Sequence, residues 1–84
     1  MVTPRQIRAG RALLGWTQQL LADRALVAVN SVRAVERGLS YPKSETVDSM
    51  RMALTKAGIV FLSDGTMGEG VRLAKPARRK ESKS

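Results

Sequence analysis

Eighty-four residues allow one small domain with a modest core and leave no room for a second. The chain has no Cys and no His, which excludes disulfides and thiolate metal sites and removes the commonest general base and neutral metal ligand. Fifteen Lys and Arg against seven Asp and Glu give a net charge of +8, a surplus that attracts polyanions unless it serves only solubility.

The segment Thr3-Pro4-Arg5-Gln6 predicts a helix start, with Thr3 as cap, Pro4 in the first turn and Gln6 closing a capping box. This first helix runs to about Leu14, with Ile7, Leu13 and Leu14 facing inward and Gly15 ending it. Trp16, the only tryptophan, is expected to pack on the core between the first two helices. A second helix follows Thr17, from Gln18 to about Ala25, burying Leu21, Ala22 and Ala25. A third covers roughly Val29 to Arg37, with Val32 and Val35 as its buried edge and Gly38 as its left-handed stop. After a loop through Leu39 to Lys43, a fourth helix begins after Ser44 and carries Val47, Met50, Leu54 and Ala57 at helical spacing up to Gly58.

Beyond Gly58 the period changes. Ile59 to Leu62 and Val71 to Leu73 read as strands joined by an eight-residue turn-rich loop from Ser63 to Gly70. From Ala74 onward no apolar period remains, and residues 75–84 hold five basic residues and one acid, as a disordered basic tail does. The expected division is therefore a helical domain over 1–58, a hairpin over 59–74 and the tail over 75–84. The longest apolar run, Ala25 to Val29, is five residues, so neither a membrane span nor a signal segment is expected and the location expected is cytoplasmic.

The stretch Trp16 to Gly38 has the layout of two short helices crossing at a steep angle, as in a helix-turn-helix. It resembles the lambda-repressor/Cro-like, or Xre-like, family over about residues 3–57. The resemblance implies a mainly α fold, a compact four-helix bundle to which this chain adds its hairpin, and a transcription regulator that offers its third helix to double-stranded DNA.

By register with the family, Val29, Asn30, Arg33 and Ala34 would face base edges, with Ser31 near the edge. These side chains have suitable chemistry, since Asn pairs twice with adenine, Arg forks onto guanine, and Val meets a thymine methyl. Thr17 and Gln18 open the second helix, where free backbone N–H groups favour a phosphate, and the family sets the matching glutamine against the DNA backbone. Ser31, Arg37 and Lys43 are the other phosphate candidates, whereas Arg5 and Arg8 read as solvated charges. The resemblance also implies a largely buried ion pair between Arg11 and Glu36. Ile59, Phe61, Val71 and Leu73 place four apolar side chains on one hairpin face, a candidate homodimer contact, although the chain's own helices are equally able to cover a hairpin.

Two positions depart from the family. Leu26 stands where glycine is usual in the left-handed turn, and Ala28 stands where Ser or Thr caps the third helix. The first costs about 1–2 kcal/mol and the second about 1 kcal/mol, against roughly 5–15 kcal/mol for a whole domain. One consequence is a reshaped turn in which Asn30 caps a shortened helix. Leu26 to Val29 also make this corner apolar. That supports an alternative to the DNA-binding repressor or autoregulator: a helix-turn-helix turned to protein binding, such as an antiactivator or the antitoxin of a toxin–antitoxin pair. The seven acids form no metal or acid–base spacing, and the glycines near Gly65 form no phosphate cradle between strand and helix. No enzyme, cofactor or metal is expected.

Overall fold

The computed structural model describes residues 2–38, 43–64 and 68–74. Four helices, α1 Pro4–Leu14, α2 Gln18–Ala25, α3 Val29–Arg37 and α4 Ser44–Lys56, precede two antiparallel strands, β1 Ile59–Asp64 and β2 Gly68–Leu73. Most of the expected loop from Leu39 to Lys43, and all of the basic tail 75–84, lie outside the described residues.

Local chemistry accounts for the helix starts. Thr3 and Gln6 form the reciprocal capping box, and Pro4 occupies the first turn of α1. The Thr17 hydroxyl accepts from the Leu20 N–H at 3.0 Å to open α2. Helix α4 begins one residue earlier than expected: Ser44 is already helical and the Lys43 carbonyl accepts from Thr46 and Val47. No side chain caps that end.

Ile7, Leu21, Val32, Met50, Leu54 and Ile59 form the core, joined by the small Ala22, Ala25 and Ala53. Leu13 does not join them. It is 46% exposed, whereas Leu14 is half-buried. At 100° per residue Leu13 lies about 240° round the helix from Ile7, so Gly10 and Leu14 continue the inward face instead.

The hairpin packs on the same core. Ile59 is 2% exposed, Phe61 and Val71 lie against the buried cluster, and Leu73 remains 42% exposed. Gly10 permits this docking: a methyl there would come within 3.3 Å of Ile59 Cγ2 and 3.5 Å of Leu54 Cδ1. Gln6 then ties down both strands. Its Nε2 donates to the Leu62 carbonyl at 2.8 Å and the Gly70 carbonyl at 2.9 Å, while its Oε1 accepts from the Thr3 N–H.

The strands are longer than expected. Pairing runs from Ile59↔Leu73 to Asp64↔Gly68, so the connection is shorter than eight residues. Backbone ladder bonds require no apolar side chain, and α1 holds this end through Gln6 to Gly70 and through Arg5 and Thr3 to Glu69. The face expected to meet a second chain is therefore turned, except for Leu73, towards the chain's own helices.

Candidate nucleic-acid interface

Helix α3 has one buried edge, Val32, Val35 and Glu36, and an outer stripe of Asn30, Arg33 and Arg37. No acid lies on that stripe, because the helix's only acidic residue, Glu36, points inward and is 2% exposed. Val29, Ser31 and Ala34 flank the stripe and are half-buried, with Val29 packed partly against the core.

The buried Glu36 carboxylate is fully engaged. Arg11 meets it with two donors, Nε to Oε2 at 2.7 Å and Nη2 to Oε1 at 3.0 Å, and Gln18 Nε2 adds a third at 3.0 Å. Arg11 also donates through Nη1 to the Trp16 carbonyl at 2.9 Å, which fixes the α1–α2 connection to the same network. Arg8, expected to be solvated, donates to the Glu36 backbone carbonyl near the end of α3. A buried carboxylate with a forked arginine and a further donor has its charge compensated, and removing one partner strands the other.

Gln18 thus has a structural partner as well as its place at the start of α2. Its amide carries two N–H donors, so one donor and its oxygen remain besides the bond to Glu36. The Thr17 hydroxyl oxygen accepts in the cap of α2 and keeps its O–H donor, and Lys43 and Arg37 are exposed.

The opposite end of α3 is bare. Leu26 adopts φ 60, the left-handed conformation that glycine would take without penalty, and it is 91% exposed. Ala28 occupies the capping position with no side-chain bond and no acid follows in the first turn. Asn30 does not cap a shortened helix. The helix starts at Val29, and Asn30 Oδ1 accepts from Arg33 Nη1 at 2.8 Å.

At the other face Arg24 stacks over Trp16, 5.3 Å from the ring centroid, leaving the indole half-buried against the core. Arg5, the other arginine expected to be solvated, pairs at the surface with Glu69 at 2.6 Å. Its guanidinium holds the Glu69 carboxyl below the ordinary carboxylate range. Among the described residues no three acidic, His or Cys side chains gather as a metal site, and no helix is long and apolar enough to cross a membrane.

Two short helices packed together across a brief turn, a solvent-facing basic stripe on the second and a largely buried ion pair bracing it define a helix-turn-helix protein. The helix-turn-helix family model HTH_3 matches residues 7–55, more than half of the chain. The chain belongs to that family of DNA-binding, Xre-like transcription regulators. The hairpin lies outside the matched segment. No curated protein matches the chain.

Proposed function

We propose that the protein is a sequence-specific DNA-binding regulator, a cytoplasmic repressor or autoregulator that reads the major groove with α3. The observation that carries this reading is the acid-free outer stripe of α3, with Asn30 and Arg33 exposed near its N-terminal half. A helix in the groove meets base edges with three or four side chains, mostly from that half. Asn30 and Arg33 carry the base contacts, with Val29 and Ala34 as apolar neighbours. Thr17, Gln18, Ser31, Arg37 and Lys43 hold the backbone, where most of the affinity arises.

One such unit spans about half a turn of duplex, so useful specificity calls for two copies on a two-fold site. With Ile59, Phe61 and Val71 packed on their own helices, the contact we favour is edge-to-edge pairing of hairpins, supported by the exposed Leu73 and Leu62. Leu73→Glu then gives a folded monomer in sedimentation and weakens binding to a two-fold site. A wild type that is monomeric at tens of micromolar removes the dimer from the proposal.

Selection from a random duplex pool tests the main reading. A preferred site emerges, Asn30→Ala and Arg33→Ala each weaken it about tenfold or more, and Gln18→Ala weakens all sequences alike. If the two α3 substitutions leave site binding unchanged, the reading fails.

A second reading rests on Leu26, an apolar side chain almost wholly in solvent at the turn. Such a corner suits a protein partner, as in an antiactivator or antitoxin. Salt separates the two readings: DNA affinity falls steeply with ionic strength, and binding through the corner does not.

A further inference from the structure

The outer stripe of α3 holds a contact that the assignment of separate bases to Asn30 and Arg33 does not use. Asn30 and Arg33 stand three residues apart on one face, and Arg33 Nη1 donates to Asn30 Oδ1 at 2.8 Å. No acid lies on the stripe to draw either side chain aside, because Glu36 is held inward by Arg11 and Gln18.

From this geometry we infer that Asn30 and Arg33 read neighbouring base pairs as one hydrogen-bonded unit, each setting the orientation of the other. The inference rests on the DNA-binding reading above and deepens it. An amide side chain presents oxygen or nitrogen to a base edge according to which way it is turned. The bond from Arg33 turns the Asn30 oxygen towards the guanidinium and leaves both amide N–H donors free, with one oxygen lone pair still open. Arg33 spends one of five donors on this bond and keeps the others for a guanine edge. A long exposed arginine otherwise gives up much rotamer freedom when it binds, and the bond to Asn30 removes part of that loss beforehand.

Reading as a unit makes a different prediction from reading as two independent residues. For independent readers, Arg33→Ala alters preference at its own base pair alone, and the losses from Asn30→Ala and Arg33→Ala multiply. For a coupled pair, each alanine relaxes preference at both base pairs. The double substitution then costs about tenfold less than the product of the two single losses. Arg33→Lys provides the conservative arm: it keeps a cation that can donate to Oδ1 but loses the fork. It therefore relaxes the Arg33 base pair while the Asn30 base pair keeps its preference.

The experiment takes the site selected by the wild-type full chain and measures affinity by fluorescence anisotropy at one fixed salt concentration. It covers the wild type, the two alanine variants, the double variant and Arg33→Lys, each against all substitutions at the two base pairs. Non-additive losses, with Asn30 preference lost in Arg33→Ala and retained in Arg33→Lys, are the expected result. Multiplying losses and unchanged neighbouring preferences overturn the coupled reading while leaving DNA recognition intact. Failure to select any preferred site overturns the DNA-binding reading, and this inference with it.

Discussion

The two ends of α3 are built in opposite ways. At its C-terminal end, Arg8, Arg11 and Gln18 converge on Glu36, and Gly38 closes the helix in the left-handed conformation. At its N-terminal end no side chain caps the helix, and the turn before it carries an exposed leucine in the conformation that glycine favours. The first end fixes where the helix lies in the domain. The second leaves the first turn of α3 without a side-chain cap, and Asn30 and Arg33, bonded to each other, lie exposed beside it. Stability is concentrated at one end of the helix and chemical opportunity at the other.

The largest effect that sharpens this comparison is Arg11→Ala. It leaves Glu36 buried without its forked partner and is expected to cost about 3 kcal/mol in denaturant unfolding. A loss below about 0.5 kcal/mol would show that the braced end is not braced by this pair. Next is Gln6→Ala, which strips the Leu62 and Gly70 carbonyls of a donor and opens the capping box, at about 2 kcal/mol. If instead the hairpin detaches freely without changing helix stability, amide exchange will quicken in β1 and β2 while the unfolding free energy stays constant.

At the bare end the sign reverses. Leu26→Gly relieves a left-handed leucine that buries almost nothing and is expected to stabilise by about 0.5–1 kcal/mol, after allowing for the freer unfolded chain. A destabilised variant would mean that the leucine contributes packing to the fold.

The smallest effect lies outside both ends, at Arg5 and Glu69. The carboxyl is held low, first by the hydrogen bond from Arg5, so its contribution is present above the unfolded value near 4.3 and disappears as pH falls through the lower folded value. Wild type and Glu69→Gln should differ slightly at neutral pH in low salt and converge in acid. A gap that widens in acid contradicts this sign.

The helical part is legible in the sequence because its signals are local. Thr3-Pro4-Arg5-Gln6, Thr17 and Gly38 mark helix ends by their own chemistry, and Val32 with Val35 mark a buried edge. Leu13 turns outward against expectation because it lies about 240° round α1 from Ile7, off the arc that Ile7, Gly10 and Leu14 share. An apolar side chain by itself does not show on which side of that arc it falls. The strand ends at Ser63-Asp64 and Gly68-Glu69 carry loop-like residues, because their pairing rests on the backbone and on α1. Spacing puts Arg8 close to Arg11 round the helix, but its acceptor is a backbone carbonyl, which carries no sequence signal. The capping role of Gln6 is written in its distance from Thr3. Its second role, holding two strands more than fifty residues away, belongs to tertiary structure alone.

Amide chemical-shift mapping with the selected duplex tests the central claim most directly. The account predicts that the largest perturbations fall on Val29 to Ala34 and on Thr17 and Gln18, with the Leu54–Ile59 core unmoved. Perturbations confined to the hairpin, or none on α3 at saturating duplex, would contradict it.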